Sequence, residues 1–161
     1  MVLCLQCNKQ QHSKHILKRA IKIPITFQQL EGDGYHIFTE IKIFGDTLFV
    51  LIDTGASKTV FSNQIVTRYP QLEVLEIEDN MAAGIGEGNV EAQMAKIELI
   101  QLGKAKAHNL YCGLINLSHV EATYRAMGLQ PFDGIIGGDI LKLFNAEISY
   151  KGAFLKLYPI R

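Results

Sequence analysis

Apolar and polar residues alternate through Tyr35–Phe44, with Ile37, Ile41 and Ile43 on one face, and this spacing predicts a half-buried strand. Gly45-Asp46 supplies a tight hairpin turn, and Thr47–Ile52 returns as an apolar strand. Upstream, Ile21–Phe27 reads as a first strand, with Pro24 marking an edge or an irregularity, and Glu31-Gly32-Asp33-Gly34 as a turn. Downstream, Thr59-Val60-Phe61 is a short strand, and Ser62 caps a short helix that runs to Tyr69 and stops at Pro70. Leu72–Ile77 and Val90–Leu102 form a hairpin around a glycine-rich tip at 79–89. Gly103 turns the chain into the strand Ala107–Ile115. Ser118 caps a helix that ends at Met127-Gly128. Gly134–Gly137 is a buried strand end, Gly138–Phe144 a short helix, and Ala146–Tyr150 with Ala153–Tyr158 a last hairpin. Many short strands with two or three short helices define an all-β class, a closed barrel or a sandwich.

The run Phe49-Val50-Leu51-Ile52 ends abruptly in Asp53-Thr54-Gly55-Ala56-Ser57. A strand that apolar is buried on both faces, and a charge at its end is costly unless it is paired or hydrogen-bonded. Asp53 is therefore either a turn aspartate bonded to its own backbone or a carboxylate held for chemistry. Gly55 permits close backbone approach, and Ala56 and Ser57 keep the loop small. About eighty residues on, Phe132-Asp133-Gly134-Ile135-Ile136-Gly137-Gly138-Asp139 places two bulky aliphatics before a glycine and a helix start.

Composition narrows the field. With 161 residues the chain suits one domain whose core needs no staples. Sixteen basic residues balance sixteen acidic ones, so no global charge favours nucleic acid or an anionic membrane. No apolar run is long enough to span a bilayer, and Met1–Leu5 is too short for a signal-peptide core. A cytoplasmic protein is expected. Residues 1–20 form a basic arm carrying Lys9, Lys14, Lys18 and Arg19, ahead of a domain at 21–161. Three cysteines make no disulfide scaffold. Cys4, Cys7, His12 and His15 offer zinc-type donors, but His-x2-His is tighter than usual and a loose tail is the expectation, with no metal. Cys112 reads as a small core residue.

An apolar strand ending in Asp-Thr-Gly-Ala-Ser, followed by hydrophobic-hydrophobic-Gly, resembles the retropepsin-like aspartic proteases, over roughly Ile21 to Pro159. That family includes the retroviral proteases and their single-lobe cellular and bacterial relatives. The resemblance implies a retropepsin-like closed barrel with one lobe per chain, and an aspartic endopeptidase that needs no cofactor. Asp53 would be catalytic. Its partner would be the Asp53 of a second copy in a homodimer, acting through water on a peptide or protein substrate. Thr54 would hydrogen-bond across the two-fold axis, Gly55 would donate its N–H toward Asp53, and Ala56 and Ser57 would support the loop. Ile135, Ile136 and Gly137 would pack behind it. The segment Ala83-Gly84-Ile85-Gly86-Glu87-Gly88 resembles a flap that closes over the peptide.

Other readings stand beside these. Gly84-x-Gly86-x-Gly88 lacks the lysine and following helix of a phosphate loop. Asp33 and Asp133 lack the hydroxyl residue that follows the catalytic aspartate. Asp139 is a tempting second acid, but the start of a helix favours a carboxylate for structural reasons alone. The alternative function is a non-proteolytic module of the same fold that binds or scaffolds as a dimer.

Overall fold

The structure is a computed structural model that describes residues 20–30, 32–76 and 93–158. The chain runs through β1 (Ile21–Pro24), β2 (Thr26–Gln29), β3 (Tyr35–Ile43), β4 (Asp46–Ile52), β5 (Val60–Ser62) and α1 (Ile65–Arg68). It continues through β6 (Glu73–Glu76), β7 (Gln93–Leu102), β8 (Ala105–Ile115), α2 (Ser118–Ala126) and β9 (Gly134–Ile136). It closes with α3 (Gly138–Leu143), β10 (Glu147–Ser149) and β11 (Phe154–Leu157). The basic arm, the flap segment and the Cys/His tail lie outside the described residues.

The β3–β4 hairpin founds the fold. Its turn residues are Phe44 and Gly45, at φ 51° and 91°, and Ile43 pairs with Asp46. Two consecutive positive φ angles match the right-handed twist of the flanking strands. The turn lies one residue earlier than Gly45-Asp46, the pair the sequence suggests. Phe44 tolerates the strained conformation because its ring packs on Tyr69, 5.0 Å between centroids.

Antiparallel pairs β3–β4 and β7–β8, parallel pairs β4–β9 and β5–β8, and the antiparallel pair β5–β9 make one continuous sheet. A single contact of register, Lys42 with Gln101, joins β3 to β7 and closes six strands into a barrel. β2 and β6 extend this ring at its margins. The barrel interior is filled by Ile41, Ile43, Leu48, Val50, Phe61, Ile97, Ile100, Leu102, Cys112 and Ile136, all essentially buried. Each such large aliphatic or aromatic side chain stabilises the fold by about 1.5–3 kcal/mol relative to exposure.

A second, smaller cluster lies on the other face of β3 and β4. Phe38, Leu117, Tyr124 and Phe132 are buried there, with Phe49, Leu51 and Ile135 packed alongside. Phe38 stacks on Phe49 at 4.8 Å and meets the edge of Tyr124 at 6.2 Å. Helix α2 is thereby fixed against the barrel wall through an aromatic patch rather than through its own length. Gly128, at φ 70°, ends the helix as expected.

Three local expectations need correction. The stretch 21–27 is two strands: Ile25 leaves β1, donates its N–H to Ala153 O (3.2 Å), and hands the chain to β2 in the other sheet. Thr39 Oγ1–H holds the bend by donating to Pro24 O (2.9 Å). Ser62 does not cap α1. β5 runs on through Ser62, which pairs with Ile115, so the helix begins only at Ile65. Ser118 is the first residue of α2 rather than its cap, and its N–H is taken by Asn116 Oδ1 (2.9 Å). β1, β11 and β10 form a separate three-stranded sheet.

Candidate active site

β4 and β9 run parallel, with Val50, Leu51 and Ile52 beside Gly134, Ile135 and Ile136. Both strands end at the same level, and their loops interlock. Asp53 N–H donates to Ile136 O (3.1 Å), and Gly138 N–H donates to Ala56 O (2.7 Å). Gly137 lies under the returning loop. A Cβ placed on it would sit 2.5 Å from the Lys58 carbonyl carbon and 2.9 Å from Ala56 O. Only glycine fits that approach, which is the physical content of the hydrophobic-hydrophobic-Gly pattern. Ile136 is buried in the barrel, while Ile135 packs toward the aromatic cluster.

The loop 53–58 is thus tethered from behind and open in front. Asp53 is half-buried, and Thr54, Gly55 and Ser57 are exposed. Gly55 N–H donates to Asp53 Oδ1 (2.8 Å), which orients the carboxylate. Asp53 and Thr54 line a cleft of about 260 Å³ with Tyr35, His36, Ile37, Leu51, Ile52, Ile148 and Tyr150. Asp53 is the only acid among these described lining residues.

The other two aspartates of the second motif have structural partners. Asp139 lies in the first turn of α3, and its carboxylate accepts from Thr59 N–H (3.0 Å), Thr59 Oγ1–H (2.7 Å) and Ile140 N–H (2.8 Å). Thr59 Oγ1 in turn accepts from Gly137 N–H (3.1 Å). This Thr59–Asp139 clasp pins the far end of the Asp53 loop to α3. Asp133 accepts from Phe49 N–H (2.9 Å) and lies 3.8 Å from the Arg68 guanidinium. Neither is available as a free carboxylate in the cleft.

Two groups escape a reading of the sequence. Thr59 looks like ordinary strand filler, because its hydroxyl acquires a role only through an aspartate eighty residues away. His36 is inconspicuous inside an alternating strand, although it shares the cleft with Asp53. Cys112 has no place in the site. It is fully buried in the barrel, and burial pushes its thiol up to about 12. Among the described residues no group of three or more metal-ligand side chains assembles, and no helix is long and apolar enough to cross a membrane.

These features have counterparts. A family model described as aspartyl protease matches residues 39–140, which include β4, the Asp53 loop, β9 and the start of α3. Among solved structures, the chain is similar to a retropepsin-like aspartic protease from Rickettsia conorii. The TM-score is 0.53 and the identity 14%, over 88% of this chain and 92% of that one. The retroviral protease-like domain of Ddi1 from Leishmania major superposes with a TM-score of 0.48 at 17% identity, over 77% of this chain and 92% of that one. No curated protein sequence matches it. The closed barrel is the retropepsin-like fold, and the matched model spans well over half of the sequence, so the chain belongs to the aspartyl protease family.

Proposed function

We propose that the protein is an aspartic endopeptidase whose active species is a two-fold homodimer, with one Asp53 from each subunit. The observation that carries this reading is the condition of Asp53. Its carboxylate lines an open cleft, and among the described residues its hydrogen-bond partner is a backbone N–H of its own loop. A structural turn aspartate has no need of such a cleft.

The reaction needs two carboxylates that share one proton. One takes a proton from water as the oxygen attacks the amide carbon, and the other donates its proton to the carbonyl oxygen. Two carboxylates in contact cannot both ionise easily, so the pair titrates as a unit. Asp133 and Asp139 are engaged elsewhere in the chain. A second copy supplies the missing acid at no cost in sequence. Thr54, exposed beside Asp53, is the residue to bond across the axis. Gly55 orients the carboxylate, Ala56 O and Gly137 hold the loop from behind, and Ser57 borders it. In this reading the segment Ala83–Gly88, outside the described residues, is the flap.

Subunit mixing tests this reading. Wild type and Asp53→Asn, unfolded together in equal amounts and refolded, pair at random, so about one quarter of the dimers keep both aspartates. Activity per wild-type subunit then drops to about half. Full activity in the presence of demonstrated mixed dimers means that each subunit carries a complete site, and the proposal fails.

A further inference from the structure

We propose that His36 is a specificity-determining residue of the Asp53 cleft, presenting an N–H donor to an acidic side chain of the peptide close to the scissile bond. The inference rests on the peptidase reading above, and the register sets its placement. β3 and β4 pair Phe38 with Leu51, and continuing that register by two residues brings His36 level with Asp53 on the same face. The two residues line the same cleft.

The ring is held, not free. His36 stacks on Tyr124 of α2 with 6.0 Å between centroids, and Nδ1 is hydrogen-bonded to the Tyr124 hydroxyl. Tyr124 is buried, and burial raises its phenol, so the oxygen keeps its proton. A buried hydroxyl proton needs an acceptor, and Nδ1 is the acceptor within reach. Donation from Tyr124 to Nδ1 puts the ring N–H on Nε2. The Nδ1 edge is turned toward α2, where His36 borders an outer hollow with Thr123, Tyr124, Ala126 and Met127. Nε2–H is then the ring donor that Tyr124 does not engage.

The neighbours suit an acceptor. Tyr35 and Tyr150 are exposed tyrosines, Thr54 adds a hydroxyl, and Asp53 is the one acid among the described residues that line the cleft. A carboxylate is the side chain that can use several such donors at once, since charge-assisted hydrogen bonds are the stronger kind. Helix α2, remote from the reacting atoms, thereby sets the orientation of a group that reads substrate.

The experiment compares labelled peptides with glutamate, glutamine or leucine at each position near the cleavage point. For wild type, kcat/KM at one position favours glutamate over leucine. In His36→Leu the glutamate-to-leucine ratio falls about tenfold or more, and His36→Gln, which keeps a donor, retains part of it. Tyr124→Phe frees the ring and lowers the ratio without removing the donor. Cleavage by wild type without a glutamate preference, or a ratio unchanged in His36→Leu, overturns the assignment. The same peptides are titrated by fluorescence onto Asp53→Asn protein with and without His36→Leu. Glutamate-selective binding that depends on His36, in a protein whose wild type hydrolyses nothing, refutes the peptidase reading alone. Hydrolysis without that selectivity refutes the role of His36 alone.

Discussion

The ends of β4 and β9 are neighbours, run parallel, and each delivers an aspartate within a few residues, yet the two carboxylates live in opposite conditions. Asp139 receives two donors from Thr59 and one from its own helix. Among the described residues Asp53 receives one N–H, from Gly55, and it lines an open cleft. The same residue type at the same level of one sheet is spent on structure in one case and left uncommitted in the other. The difference lies in the residues that leave each strand. Gly137-Gly138 lets α3 start at once and press its first turn against Thr59. Thr54-Gly55-Ala56 instead carries the chain outward before it returns. Among the described residues, what separates the two carboxylates is the number of donors around each, not their position in the fold.

Exchanging each acid separately tests that contrast. The largest effect is expected from Asp53→Asn, which lowers peptide hydrolysis about 10³-fold or more while the melting temperature stays near that of wild type. Substantial residual turnover would remove Asp53 from the chemistry. Next comes Gly137→Ala. The added methyl meets the Lys58 carbonyl carbon at 2.5 Å, and the two loops must part, at a cost of about 3 kcal/mol in urea unfolding. A near-neutral result would mean that the interlock is loose and the contrast overstated.

Asp139→Asn should be the mirror of Asp53→Asn. It weakens the charge-assisted bonds to Thr59 and lowers stability by about 1.5–3 kcal/mol, while the proposed hydrolysis by the folded protein is expected to persist. Thr59→Val removes the hydroxyl from the same clasp. The double variant should therefore lose less than the sum of the two single losses. Strict additivity would show that Thr59 and Asp139 do not act together.

A further effect concerns pH. The folded thiol of Cys112 ionises near 12 against an ordinary 9.0, raised chiefly by burial. The folded state keeps its proton where the unfolded chain releases it, so this contribution is whole below pH 9 and is lost as pH climbs toward 12. Wild type should lose up to about 1.4 kcal/mol per pH unit more than Cys112→Ala over that range. Parallel pH curves for the two proteins would show that the thiol is solvated.

Much of the barrel was legible because alternation and turn residues fix strands locally. Tyr35–Ile43, the apolar delivery of Asp53, the close of α2 at Gly128 and the final hairpin all arise from patterns a few residues long. The features that escaped depend on distant partners. Ser62 looks like a cap until β8 claims it as a strand residue. Thr59 looks like filler until Asp139 closes on it from the far end of the domain. The hairpin turn shows how a small error grows. A turn at Gly45-Asp46 would bring Phe38 level with Asp53, whereas the observed turn at Phe44-Gly45 brings His36 there. A one-residue slip in the turn moves the partner by two, keeps the buried face intact and replaces a phenyl ring with an imidazole beside the carboxylate. Nothing in the local pattern separates those registers. The packing of Phe44 on Tyr69 does.

The pairing of β1 with β11 has a consequence for biosynthesis. Ile21, Lys22 and Ile23 find their partners only in Leu157, Lys156 and Leu155. A chain emerging from the ribosome makes β1 before the rest of the barrel and must carry it unpaired until β11 leaves the exit tunnel. Ile23, buried in the finished molecule, lacks the cover of β11 throughout that interval. The nascent protein therefore offers chaperones a defined apolar segment while the barrel is being made. A product truncated before Phe154 leaves the β1 edge without its strand partner, an edge open to association with other chains.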